Sequence, residues 1–87
     1  MSCLIVFRSL TQAQYAVSLL RNKQIYVVIV RPPLEVGKGS CSAALQISEN
    51  DLFRAASLLN KLSFQPVGYY RSASNGTFQE VFYDISG

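Results

Sequence analysis

The sequence predicts an α/β domain built as an α+β sandwich, in which helices cover a β-sheet. Two observations predict this class. Two stretches with helical spacing each begin with a capping box, and apolar runs of strand length stand before, between and after them. The length of 87 residues suits a single domain, so residues 1–87 are assigned to one unit.

The first half of the chain predicts a strand, a helix and a second strand. Residues 4–7 form a continuous apolar run, which is typical of a strand buried on both faces. Ser9 and Gln12 form a capping box, and the apolar residues behind it fall on one helical face: Ala13, Ala16, Val17 and Leu20. Residues 25–30 are almost all β-branched and predict the second strand, which ends before Pro32 because proline cannot donate to a sheet.

The second half repeats this pattern and adds a strand. Residues 43–47 predict a third strand, and Ser48 with Asp51 predicts the start of a second helix. Residues 64–71 predict a fourth strand, and an Asn-Gly turn then leads to a fifth strand at residues 77–85.

This order, βαββαβ with an added C-terminal strand, favours a ferredoxin-like sandwich. We expect residues 1–71 to form its core and residues 77–85 to extend the sheet beside the fourth strand. Both helices should cover one face of the sheet. The first and third strands should be parallel neighbours.

Composition and charge exclude several classes of function. Apolar residues make up 49% of the chain and charged residues 15%, which excludes a disordered protein and predicts self-association as a homo-oligomer. The net charge of +3 comes from scattered Lys and Arg residues, so no nucleic-acid partner is predicted. The N-terminal apolar run is too short to cross a membrane and lacks the basic region of a signal peptide. We therefore expect a cytoplasmic protein.

The chain contains no histidine and two cysteines. The absence of histidine excludes Cys-His pairs, Ser-His-Asp triads and histidine-containing zinc sites within one chain. Two cysteines are too few for a disulfide scaffold. We predict no metal and no cofactor.

The aromatic residues near the C-terminus have two interpretations. Phe78, Phe82 and Tyr83 either pack in the core or form an interface at an exposed edge of the sheet. We expect this last strand to support association.

The loop that contains Cys41 is the candidate reactive site. Ser40 and Ser42 flank the cysteine at a junction between loop and strand, where a side chain is at least partly exposed. Lys38 supplies positive charge, and backbone amides from Gly39 onward can donate hydrogen bonds; both favour the reactive thiolate. The alternative is a buried cysteine that acts as a small hydrophobic residue. The Gly-Lys-Gly-Ser stretch is not a phosphate-binding loop, because Gly39 follows the lysine and a strand follows the loop.

Cys3 also has two interpretations. It is either a packing residue of the first strand or a resolving thiol beside Cys41. The second interpretation depends on parallel first and third strands, which would begin at the same end of the sheet within reach of a disulfide.

The motifs around these elements resemble the Putative Se/S carrier protein-like domain over about residues 1–71. They are Phe7-Arg8-Ser9, Pro33, Ser40-Cys41 and Ala44-Leu45. The resemblance implies a small bacterial or archaeal protein that carries sulfur or selenium on Cys41, with donor or acceptor proteins as partners. Ser42 and Gln46 stand where the family pattern has a glycine and a basic residue.

Three functional hypotheses follow. The first is a thiol carrier that passes its cargo on by exchange. The second is a regulatory or protein-interaction module of ferredoxin-like fold without thiol chemistry, whose functional surface lies at residues 78–83. The third is a thiol enzyme, which is disfavoured because no histidine or paired carboxylate is placed to act as a base.

Overall fold

The computed structural model describes residues 2–32, 42–72 and 77–81. The elements follow the predicted order and confirm the α+β class: β1 (Ser2–Phe7), α1 (Leu10–Asn22), β2 (Val27–Val30), β3 (Ala43–Ser48), α2 (Glu49–Leu59), β4 (Gly68–Ser72) and β5 (Phe78–Val81).

The five strands form one sheet in the order β2-β3-β1-β4-β5. The first four strands have the ferredoxin-like order, and β5 extends the sheet beside β4 as predicted. All four neighbouring pairs are antiparallel.

The prediction that β1 and β3 are parallel is wrong. Ser2 pairs with Ser48 and Phe7 pairs with Ala43, so the two strands run in opposite directions. The reason is the connectivity. The crossover through α1 makes β2 run in the same direction as β1 and leaves one strand position between them. β3 pairs antiparallel with β2 in the position between β1 and β2, so it is antiparallel to β1 as well.

The core lies on both faces of the sheet. Alternate residues of β1 (Cys3, Ile5 and Phe7) pack with residues of both helices, so α1 and α2 cover the same face, as predicted. Leu4 and Val6 point to the opposite face and pack with a smaller cluster around Ala44 and Tyr70. Burial on both faces explains why β1 is a continuous apolar run.

Serine side chains begin both helices. Ser9 Oγ accepts a hydrogen bond from the backbone N–H of Gln12 at 3.2 Å, as the capping box predicts. Ser48 Oγ accepts from Asn50, two residues on, at 3.3 Å, rather than from Asp51. The chain leaves α1 through Gln24, whose φ of 64° lies in the left-handed region.

The segment before β4 differs from the sequence-based prediction. β4 begins at Gly68 and not at residue 64, in keeping with the effect of Pro66 on a sheet ladder. Phe64 packs against the core instead, with its ring centroid 6.1 Å from that of Phe7 and 5.8 Å from that of Tyr15. Gln65 Nε2 lies within hydrogen-bond distance of carbonyl oxygens at the end of α2, including that of Leu59 at 3.2 Å.

Candidate functional site

The predicted site residues Lys38, Gly39, Ser40 and Cys41 lie outside the described residues. Ser42 is described, is half-buried and directly precedes β3. The structure therefore defines the end of the sheet from which the Cys41 segment extends.

Two further segments leave the sheet at the same end. Ala43 pairs with Phe7, the last residue of β1, and Ala44 pairs with Val30, the last residue of β2. The start of β3 thus lies beside the ends of both strands. Phe7 leads through Arg8 directly into the start of α1.

The start of α1 carries positive charge. A helix N-terminus carries about half a positive charge on its unsatisfied amides, and an acidic residue in the first turn usually offsets it. The first turn of α1 has no acidic residue, whereas that of α2 has Glu49 and Asp51. Arg8 adds a full charge on an exposed side chain just before α1. This end of the sheet therefore favours an anionic group.

Arg8 and the start of α1 were not among the residues that sequence analysis assigned to the site. The Phe7-Arg8-Ser9 motif contributed only to the resemblance. The antiparallel register is what places this motif beside the start of β3.

Cys3 lies at the other end of β1. It pairs with Ile47 on one side and with Arg71 on the other. Phe7 lies four positions further along the strand, a distance of about 13 Å. The hypothesis that Cys3 is a resolving thiol for Cys41 required parallel β1 and β3, so the antiparallel register removes its geometric basis.

The surroundings of Cys3 also suit a packing residue. Its side chain is fully buried in the helix-covered cluster. Burial raises the pKa of the thiol, and the nearby Glu49 carboxylate raises it further; Arg71 and the N-terminal amino group lower it. Glu49 Oε1 and Arg71 Nε form an ion pair at 2.8 Å.

The described part of the chain contains no group of three His, Cys, Asp or Glu residues that could hold a metal ion. None of its helices is long and apolar enough to cross a membrane.

Comparison with known proteins identifies the family. The sequence profile described as "Putative Se/S carrier protein-like" matches residues 2–71, from β1 into β4. The search of curated proteins and the search of solved structures each found no significant match. Because the profile covers most of its length, the chain belongs to the Putative Se/S carrier protein-like family.

Proposed function

We propose that the protein carries sulfur or selenium on the thiol of Cys41. Family membership supports a carrier role. The observation that carries the choice of Cys41 is the pairing of Ala43 with Phe7. This pairing connects the Cys41 segment to the sheet end that has the start of α1 and Arg8 but no first-turn carboxylate.

In the proposed transfer, the Cys41 thiolate attacks the outer sulfur of a persulfide on a donor protein. A bond forms between that sulfur and Cys41 Sγ, the donor's sulfur–sulfur bond breaks, and the donor leaves as a thiolate. An acceptor thiolate then attacks the carried sulfur and releases Cys41 as a thiolate. Selenium follows the same exchange with a selenium atom in the transferred position.

The first step requires an ionised Cys41, because the thiolate is the nucleophile, and the second step releases Cys41 as a thiolate. Arg8 and the N-terminal partial charge of α1 favour the anion at this end of the sheet. We assign the same role to the charge of Lys38, and the backbone amides of Gly39, Ser40 and Ser42 are the proposed donors to the bound sulfur. A reducing cytoplasm suits a thiol that must stay free between transfers.

The test is the site of the adduct. The purified protein is treated with glutathione persulfide, excess reagent is removed, and intact mass is measured with and without reduction. We expect the treatment to add the mass of one reducible sulfur atom to the wild-type protein. It should add none to the Cys41→Ala variant. Cys3→Ala is the matched control and should be labelled as the wild type is. Equal labelling of all three proteins would refute Cys41 as the acceptor.

The alternative function is a protein-interaction module without thiol chemistry. The exposed apolar side chains of Tyr26, Val28 and Ile29 favour it, because such residues at a sheet edge invite pairing. Under this alternative, neither cysteine accepts sulfur and Cys41→Ala leaves all partner interactions unchanged. The adduct measurement therefore separates the two functions.

A further inference from the structure

One edge of the sheet has an apolar surface that the proposed function does not use. β2 is the terminal strand in the sheet order, and no strand among the described residues covers its outer side. Tyr26, Val28 and Ile29 are 75%, 37% and 37% exposed. Natural sheet edges are usually protected by charged residues, proline or a bulge. The strand Val27–Val30 contains no charged residue and no proline.

We propose that β2 pairs antiparallel with β2 of a second copy, around a two-fold axis at Val28. The result is a continuous ten-stranded sheet from two five-stranded sheets. This inference does not depend on thiol chemistry.

The two faces of the sheet determine which register is possible. Val27 belongs to the helix-covered cluster, and Val30 packs on the opposite cluster. A two-fold axis perpendicular to the sheet keeps the helices of both copies on one side. Residues that pair must therefore face the same side, so both numbers are odd or both are even.

Pairing Val28 with the partner's Val28 meets this condition and suits the side chains. It places Val27 opposite the partner's Ile29 and Tyr26 opposite the partner's Val30. Every residue of the strand then meets an apolar residue, and cross-strand pairs of β-branched and aromatic residues are among the stabilising ones.

Charge complementarity identifies a second copy as the occupant. Asp51 lines a groove of about 350 Å³ at this edge together with Tyr26 and Val28. In the proposed register the partner's Arg31 lies opposite Ile25, next to Tyr26 and on the side that carries α2. Arg31 is exposed and has no ion pair within the described part of the chain. The two-fold axis repeats the Arg31–Asp51 attraction at both ends of the paired strands.

Among the described residues, one side chain donates a hydrogen bond to the backbone of this strand. Arg21 Nη2 donates to the carbonyl oxygen of Val27 at 3.0 Å. A carbonyl oxygen has two lone pairs, so Val27 remains able to accept the N–H of the partner's Ile29. Because the strand has four residues, the interface is small and the dimer should be weak and dependent on concentration.

The experiment is a charge swap at the axis, read by sedimentation velocity over a concentration series in reducing buffer. The wild type should shift from monomer to dimer as concentration rises. Val28→Lys and Val28→Glu each place like charges opposite each other and should weaken the dimer at least about tenfold. An equimolar mixture of the two variants should recover a dimer, because Lys then faces Glu.

Gln79→Lys is the matched control, since it places the same charge on an exposed position of β5 at the opposite edge of the sheet. It should dimerise as the wild type does. Circular dichroism verifies that each variant is folded. A wild type that stays monomeric overturns the proposal, as does a Val28 variant that dimerises normally. Failure of the mixture to recover a dimer overturns the register. If truncation before Thr77 abolishes the dimer and the Val28 variants do not, the dimer forms through β5 and the proposal is wrong.

Discussion

Cys3 shows how one residue can resist ionisation although a cation lies near it. The thiol has no exposed surface and lies between its strand partners Ile47 and Arg71. Burial is the largest cause of its raised pKa, and the Glu49 carboxylate adds to it. Arg71 lowers the pKa of the thiol, but it forms an ion pair with Glu49, so the effects of the two opposite charges on the thiol largely offset each other. The result is a neutral thiol in the folded protein at pH values where an exposed cysteine ionises.

We predict that the free energy of unfolding falls as pH rises above about 8.5, the ordinary pKa of cysteine. The pKa of Cys3 is raised in the folded protein, so its neutral thiol contributes fully to the free energy of unfolding at pH values below the unfolded-state pKa. At higher pH the unfolded chain releases the proton and the folded chain keeps it, so stability declines by at most about 1.4 kcal/mol per pH unit.

Urea denaturation between about pH 7 and 10 measures this decline. Cys3→Ala should be less stable at neutral pH and should show a flatter profile. Tyr70, whose pKa is also raised by burial and by Glu80, titrates at higher pH. Tyr70→Phe should therefore keep the decline that begins near pH 8.5. A Cys3→Ala profile parallel to that of the wild type would contradict the assignment.

At the scale of elements, the two helices differ in their first turns and begin at opposite ends of β3. α1 starts beside Ala43 without an acidic residue, and α2 starts after Ser48 with Glu49 and Asp51. The first turn of α2 is therefore matched to the helix dipole, and that of α1 is not. An unmatched N-terminus costs some stability but leaves a positive potential for a nearby anion.

We predict that Thr11→Glu stabilises the protein by about 0.3–1 kcal/mol and slows alkylation of Cys41 severalfold. Thr11 is exposed in the first turn of α1, so the new carboxylate offsets the helix dipole and disfavours the thiolate. The rates are measured with iodoacetamide, a neutral reagent, on a Cys3→Ala background across a pH series. Asn50→Glu is the control, because it adds the same charge to an exposed first-turn position of α2. Equal slowing by both substitutions would argue against a role for α1.

At the scale of the whole molecule, the direction of β3 determines which disulfides can form. Cys3 pairs with Ile47, whereas the Cys41 segment joins β3 at Ala43, at the other end of that strand. We therefore predict that mild oxidation links two chains through Cys41 and leaves Cys3 reduced. Intact mass after alkylation under native and unfolding conditions distinguishes the products. Cys41→Ser should form no disulfide-linked dimer and should stay fully reduced. A monomer that has lost both thiols would contradict the prediction.

Local features of the fold were predicted correctly from the sequence, but the direction of β3 was not, because it depends on how the elements are connected and not on their residue patterns. The Ser9 cap and the apolar run of β1 follow from spacing that the chain itself displays. An apolar run has the same pattern in either direction, so the error on β1 and β3 came from topology and not from element assignment. The start of β4 was predicted too early because Phe64 is apolar, although it packs outside the sheet.

The candidate site was predictable only in its chemistry. Cys41 and Lys38 could be selected because a cysteine and a positively charged residue lie close together in the sequence, and the charge favours the thiolate. Arg8 could not be selected in this way, since only the pairing of Phe7 with Ala43 brings it to the same end of the sheet. The exposed edge at β2 was also missed. Its sequence is that of a buried strand, and its exposure results from its terminal position.

The central position of β1 has a consequence for how the chain folds during synthesis. β1 is made first, yet its two neighbours are β3 and β4, which end at Ser48 and Ser72. Until both β3 and β4 have left the ribosome, at least one edge of the apolar strand β1 stays unpaired. Such distant pairings slow folding and leave nascent chains prone to aggregation. β1, whose residues 3–7 are buried on both faces of the sheet, is therefore also the strand that is made longest before both of its neighbours are available.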